Sequence, residues 1–116
     1  MFNLDYQSRV PIYEQIINEI ERYVALGILK PKEQIPSIRE LASQLGINPN
    51  TVRKAYSEME SRGIIITIST KGTFISEKTD VIIKNKIDKI FIDINKLTAE
   101  LEKLGLSKNE ILKKIK

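Results

Sequence analysis

Ile12, Ile16, Ile20 and Val24 recur at four-residue steps, and Tyr13 and Ile17 widen the stripe. That spacing predicts an amphipathic helix of about four turns. Pro11 suits its first turn, where a missing N–H costs nothing, and Gly27 suits its end. The first six residues read as an irregular arm. Residues 28–36 hold Pro31 and Pro36 and read as a connector. Ser37-Ile38-Arg39-Glu40 has capping-box spacing and opens a short helix with Ile38, Leu41, Ala42 and Leu45 on one side. Gly46 ends it. Asn48 as N-cap and Pro49 as first residue start a third helix, whose stripe is Val52, Ala55, Tyr56 and Met59. Gly63 ends that helix. Residues 64–68 are rich in isoleucine and threonine and predict a strand. Ser69-Thr70-Lys71-Gly72 is a turn, and residues 73–76 return as a second strand, making a hairpin.

Beyond the hairpin the period changes. Ile83, Ile87, Ile90, Ile94, Leu97, Leu101 and Leu104 alternate steps of four and three, a heptad seam on one helix of about 25 residues. Thr79 or Asp80 is its candidate cap, and Gly105 closes it. Ser107 and Glu110 form a second capping box, before a short last helix with Ile111, Leu112 and Ile115.

The stretch from Ile38 to Ser57 carries the functional signal. Ala42 is small where two helices must cross, and Gly46 is free to take positive φ in the turn. Leu41, Leu45, Ile47, Val52 and Ala55 seal the angle. This is the helix-turn-helix pattern, and the hairpin supplies a wing. A plain corner between two helices would share the apolar spacing. The other face of the third helix separates the two readings: Asn50, Thr51, Arg53, Lys54 and Ser57 point away from the stripe. Helix N-termini attract phosphate, arginine grips guanine bidentately, and asparagine does the same for adenine. The expected fold is mainly α with a small β-hairpin wing. A winged helix-turn-helix over residues 1–78 is followed by a two-helix dimerisation tail over residues 79–116.

Composition narrows the function. The 116 residues contain no cysteine and no histidine. Disulfides and thiolate metal sites are therefore excluded, and so are the commonest general base and the usual neutral-pH switch. There is no glycine-rich phosphate loop and no spaced carboxylate pair. No cofactor, no metal and no enzymatic activity are expected. No apolar run approaches a membrane span and no signal peptide is visible, so a cytoplasmic protein without membrane contact is expected. The net charge of +4 says little, because residues 1–78 carry ten Lys/Arg against nine Asp/Glu. Local placement of charge has to identify the partner.

The segments PIYEQI, GILKPKEQIPSIRELASQLGINPNTVRKAYSEMESRGII and TKGTFI, within residues 10–76, strongly resemble the N-terminal domain of GntR-family transcription regulators. The short helical tail is similar to that of the compact YtrA-type subfamily, in which such a tail dimerises the protein. The chain after the wing is too short for the larger effector-binding domains of other members. The resemblance implies that Arg39 at the start of the second helix contacts DNA. It implies that Asn50, Thr51 and Arg53 approach bases and phosphates, and that Gly72 and Thr73 belong to the wing. Ser37, Lys54 and Lys71 complete the expected DNA-contacting set, Lys54 from its place on the helix face. Relatives often carry glycine where this chain has Thr70, so the wing turn is expected to differ.

The expected function is thus sequence-specific regulation of transcription, as a repressor, by a homodimer on a pseudo-palindromic operator. The alternative is a winged-helix module that binds protein, whose contact face should show exposed aromatics or methionine. Arg39 has a competing reading as an ion-pair partner of Glu40 or Glu33. Tyr56, in line with Val52 and Met59, reads as core. The seam could instead fold back on the winged domain. The lysines at 113, 114 and 116 read as a frayed, solvated end. Any small-molecule effector is expected at the dimer interface or beside the first helix.

Overall fold

The structure is a computed structural model that describes residues 2–115. Its elements are α1 (Ile12–Ala25), β1 (Gln34–Ile35), α2 (Ile38–Leu45), α3 (Pro49–Ser61), β2 (Ile65–Ile68), β3 (Gly72–Ile75), α4 (Thr79–Lys103) and α5 (Lys108–Lys114). The strands form one antiparallel sheet in the order β1-β3-β2. Mainly helical architecture with a small winged sheet is the expected class. The third strand was not expected: it lies in the proline-bounded connector, where two residues pair Gln34 with Phe74 and Ile35 with Thr73. Two residues are too few to show strand periodicity in a sequence.

The chain divides into a compact unit ending at Ile83 and a second beginning at Lys84. The division falls later than residue 78 because Thr79 and Ile83 on the first turns of α4 are buried, and Ile83 joins the core of the first unit. That core unites Ile16, Ile17 and Ile20 of α1, Leu41 and Ala42 of α2, Val52, Ala55 and Met59 of α3, and Ile35, Ile65 and Ile75 of the sheet. Helix α3 packs on both α1 and α2. Local chemistry sets the ends of these helices. Ser37 and Glu40 complete their capping box, Asn48 caps α3 by accepting from the Asn50 N–H at 2.8 Å, and Gly46 takes φ +67° in the turn between them. Pro11 is the N-cap of α1 rather than a residue of its first turn. Neither Thr79 nor Asp80 caps α4: Thr79 is its first residue, and its hydroxyl is buried without a hydrogen-bond partner among the described residues. The N-terminal arm is pinned rather than loose. Phe2 and Leu4 pack against the core, and Gln15 Nε2 donates to the carbonyls of Asp5 and Val10.

In the second unit Ile111 is the one buried hydrophobic residue among those described. Ser107 and Glu110 cap α5 as expected. Of the terminal lysines, Lys116 lies outside the described residues, and Lys113 and Lys114 are exposed.

Tyr56 is core, as its alignment with Val52 and Met59 implies, but its hydroxyl has a task. It donates to the Pro36 carbonyl at 2.6 Å, tying α3 to the segment that joins β1 to α2. Replacing Tyr56 by Phe leaves that carbonyl without its partner and is expected to cost about 1 kcal/mol of stability. Urea unfolding at fixed protein concentration checks this; an unchanged midpoint would show that the bond contributes nothing.

Candidate nucleic-acid interface

Helix α3 buries Val52, Ala55, Tyr56 and Met59. At 3.6 residues per turn, this leaves Asn50, Arg53, Lys54 and Ser57 on the opposite face and Thr51 on the flank. The burial agrees: the first four are exposed and Thr51 is half-buried. The exposed side chains are not independent. Arg53 Nη1 donates to Asn50 Oδ1 at 2.5 Å, one helical turn apart. The asparagine thereby orients the guanidinium, which forms no ion pair among the described residues. Lys54 behaves differently. Its ammonium lies 4.1 Å from the centre of the Tyr13 ring of α1, a cation–π contact that holds the charge at the α1–α3 junction. The Tyr13 hydroxyl donates to Glu14, and this hydrogen bond to a carboxylate raises the phenol above its ordinary pKa.

Arg39, on the first turn of α2, is exposed and forms no ion pair among the described residues. Both carboxylates weighed as its partners are engaged by main chain. Glu33 accepts the Lys30 N–H at 3.1 Å and Glu40 accepts the Ser37 N–H at 3.1 Å. The Ser37 N–H and hydroxyl also hold the Glu40 carboxyl below the ordinary value, so it stays ionised and committed to the cap. The Ser37 hydroxyl oxygen accepts from Glu40 N, so both polar groups of Ser37 are engaged in the capping box. Tyr56 is pushed far above the ordinary phenol value by burial, with the charge of Glu40 adding to it, so it stays a neutral donor.

The wing turns at Ser69-Thr70, closed by Lys71 N–H donating to the Ile68 carbonyl at 3.0 Å. Thr70 takes φ +68°, the left-handed conformation that favours glycine and that a β-branched residue adopts at a cost. Lys71 is exposed beside it, without an ion pair among the described residues. Gly72 follows at φ +124°. Thr73 corrects an expectation. It is 8% exposed, in the central strand, opposite Ile35 and Thr67. Alternation along β3 turns Thr73 and Ile75 inward, so the Thr73 side chain serves the sheet and Lys71 carries the wing's outward chemistry. Gln34, in the connector, was not singled out from the sequence. Its amide reaches the Lys71 carbonyl, 37 positions away in the chain. No local pattern reveals a contact made by a two-residue strand.

On α4 the seam also needs one correction. Ile83, expected at a dimer contact, is 7% exposed and part of the first unit's core. Ile87, Ile90, Ile94, Leu97 and Leu101 are exposed, as is Leu104, which falls just past the helix end. Phe91 is exposed too and widens the stripe. Among the described residues no helix is long and apolar enough to cross a membrane, and no cluster of acidic side chains could hold a metal ion.

Comparison with known proteins agrees with this geometry. The model of the gntR family of bacterial regulatory proteins matches residues 12–75. The transcriptional repressor YtrA of Bacillus subtilis is 45% identical over 112 residues, spanning 90% of this chain and 86% of that protein. The crystal structure of a transcriptional regulator from Oenococcus oeni superposes with a TM-score of 0.77 at 37% identity, covering 97% of this chain and 94% of the other. The AraR DNA-binding domain, solved in complex with operator ORR3, superposes at TM-score 0.55 and 30% identity, covering 66% and 92% of the two chains.

The strained wing turn gives a direct test. Thr70→Gly removes a left-handed penalty of ~1–2 kcal/mol and adds unfolded-state freedom of ~0.5–1 kcal/mol. It is therefore expected to raise the thermal midpoint slightly, where most threonine-to-glycine changes lower it. A clear loss of stability would show that Thr70 makes a contact outweighing its backbone strain.

Proposed function

Because the chain belongs to the gntR family of bacterial regulatory proteins, we propose that it is a DNA-binding transcription regulator, working as a repressor in the bacterial cytoplasm. It binds a pseudo-palindromic operator as a homodimer. The observation that carries this reading is the coupled Asn50–Arg53 pair, exposed at the start of α3 on the side away from its buried stripe. A guanidinium already oriented by a neighbour presents its free N–H fork to a guanine edge with less entropy to lose. The helix N-terminus beside it favours phosphate. The repressor name of the Bacillus relative and the operator bound to the AraR domain support the same target and direction of control.

Two classes of contact follow. Arg53, held by Asn50, reads base edges. Arg39 and Lys71, exposed and unpaired among the described residues, hold phosphates, with the exposed Ser37 cap beside Arg39 setting where α2 begins. Thr51 lines the flank of the helix, and Gly72 lets the wing turn. Lys54 contributes a positive field from its seat on Tyr13 rather than a direct contact. The exposed aromatics and methionine that a protein-binding reading requires are not on this face.

Pairing of two chains through α4 answers a separate physical problem. Ile87, Ile90, Phe91, Ile94, Leu97 and Leu101 leave a wet apolar stripe, and the second unit buries a single hydrophobic side chain among those described. Covering the stripe at ~25 cal/mol per Å² favours a two-fold pair. Any small-molecule effector would act at that pairing surface or beside α1, where it could alter the spacing of two reading heads.

Arg53→Ala is expected to weaken binding to a selected operator by about 1–3 kcal/mol and to relax preference at particular base pairs. Asn50→Ala should lose much of the same energy, and the double variant little more, because the two side chains act together. Arg39→Ala should weaken operator and scrambled DNA alike and lower the salt slope by about one. If folded Arg53→Ala and Arg39→Ala proteins both bind the operator as tightly as the parent, this face does not read DNA. The assembly is tested separately. Ile90→Asp with Leu97→Asp should give monomers in analytical ultracentrifugation, and a parent chain that is purely monomeric at micromolar concentration would refute the dimer.

A further inference from the structure

The wing and α3 reach a common target only if something fixes one against the other. Beyond the hairpin itself the sheet consists of β1 alone, a strand of two residues paired with β3. We infer that Gln34 is a positioning residue for the wing: its side-chain amide holds the main chain at Lys71, and so sets where the Lys71 ammonium meets the DNA. The inference rests on the reading of Lys71 as a phosphate contact.

Three observations carry it. Gln34 Nε2 donates to the Lys71 carbonyl at 3.2 Å. A Cβ on residue 72 would stand 2.5 Å from that same nitrogen, so glycine at 72 clears the path along which the amide reaches the turn. The turn itself is strained at Thr70, φ +68°, and a strained turn needs an outside hold to keep one geometry. The residues after Gln34 complete the link. Ile35 is core, Pro36 accepts the hydroxyl of Tyr56 from α3, and Ser37 caps α2 one residue before Ile38 and Arg39. Residues 34–37 thus touch the wing turn, the reading helix and the phosphate-binding start of α2 in succession. The Gln34 bond is exposed, so its loss should barely alter global stability while it loosens the turn.

The test is a double-mutant cycle in the full chain. Affinity for a mixed-sequence duplex of about 30 base pairs is measured at fixed low salt, since a phosphate contact needs no particular sequence. The variants are Lys71→Ala, Gln34→Met and both together. Methionine keeps the length of the stem and loses only the amide; Gln34→Ala serves as a second removal should methionine disturb folding. Lys71→Ala is expected to weaken binding about three- to fivefold in the parent. Gln34→Met should cost a similar factor with an unchanged thermal midpoint, and the double variant less than twofold beyond Gln34→Met alone. Amide exchange at Lys71 and Gly72 should quicken in Gln34→Met, while Asn50 and Arg53 stay as in the parent. Independent, multiplying losses with unchanged exchange would overturn the positioning role and leave the wing contact standing. A Lys71→Ala chain that binds as tightly as the parent would overturn the wing contact, and the inference with it.

Discussion

Helix α3 has one side to give to the core, and Val52, Ala55, Tyr56 and Met59 occupy it. Every other property of the interface depends on that constraint. With the apolar stripe seated on α1 and α2, the helix cannot rotate without exposing those four side chains to water. At about 1.5–3 kcal/mol for each large apolar side chain, rotation is prohibitive on the scale of a small domain's stability. The azimuth of Asn50 and Arg53 is therefore fixed by packing on the far side of the helix. The Asn48 cap with Pro49 fixes where the helix begins, and hence how close its first turn stands to any anion.

The same economy of parts links the other contact elements. Ser37 caps α2 with both its N–H and its hydroxyl, and Glu40 is held ionised and committed to the cap. With Glu40 and Glu33 bound to main chain, Arg39 is left unneutralised among the described residues. Lys54 shows the opposite outcome. It shares the exposed face of α3 with Asn50, yet the Tyr13 ring below it captures the ammonium. Position on a helix face thus does not by itself fix where a cation's charge sits; the group beneath it does.

These cases mark how far the sequence could be read. The helices were legible because their caps and stripes are local: Ser37 with Glu40, Asn48 with Pro49, Ile16 with Ile20. The exposed face of α3 was legible because the periodicity of the helix leaves it no alternative. Strand β1 was not legible, since Gln34 and Ile35 pair with residues far along the chain and carry no period of their own. Thr73 was misplaced for a related reason. A hairpin alone gives the returning strand one neighbour and a free edge, whereas β3 is the middle strand, with a neighbour on each side, and Thr73 faces inward. Ile83 matched the heptad but serves the winged core, because the first turns of α4 belong to the first unit and the exposed seam starts only at Ile87. A heptad count sees spacing and not the neighbour that covers it.

The central claim is that one face reads DNA: the start of α3, the start of α2 and the turn of the wing. Amide chemical shifts of the labelled protein, followed while an operator duplex is titrated in, test it most directly. The account predicts large shifts at Arg39, Asn50, Thr51, Arg53 and Lys71, and small ones on the exposed seam from Ile87 to Leu101. Shifts concentrated on that seam or on α1, with the start of α3 unmoved, would contradict it.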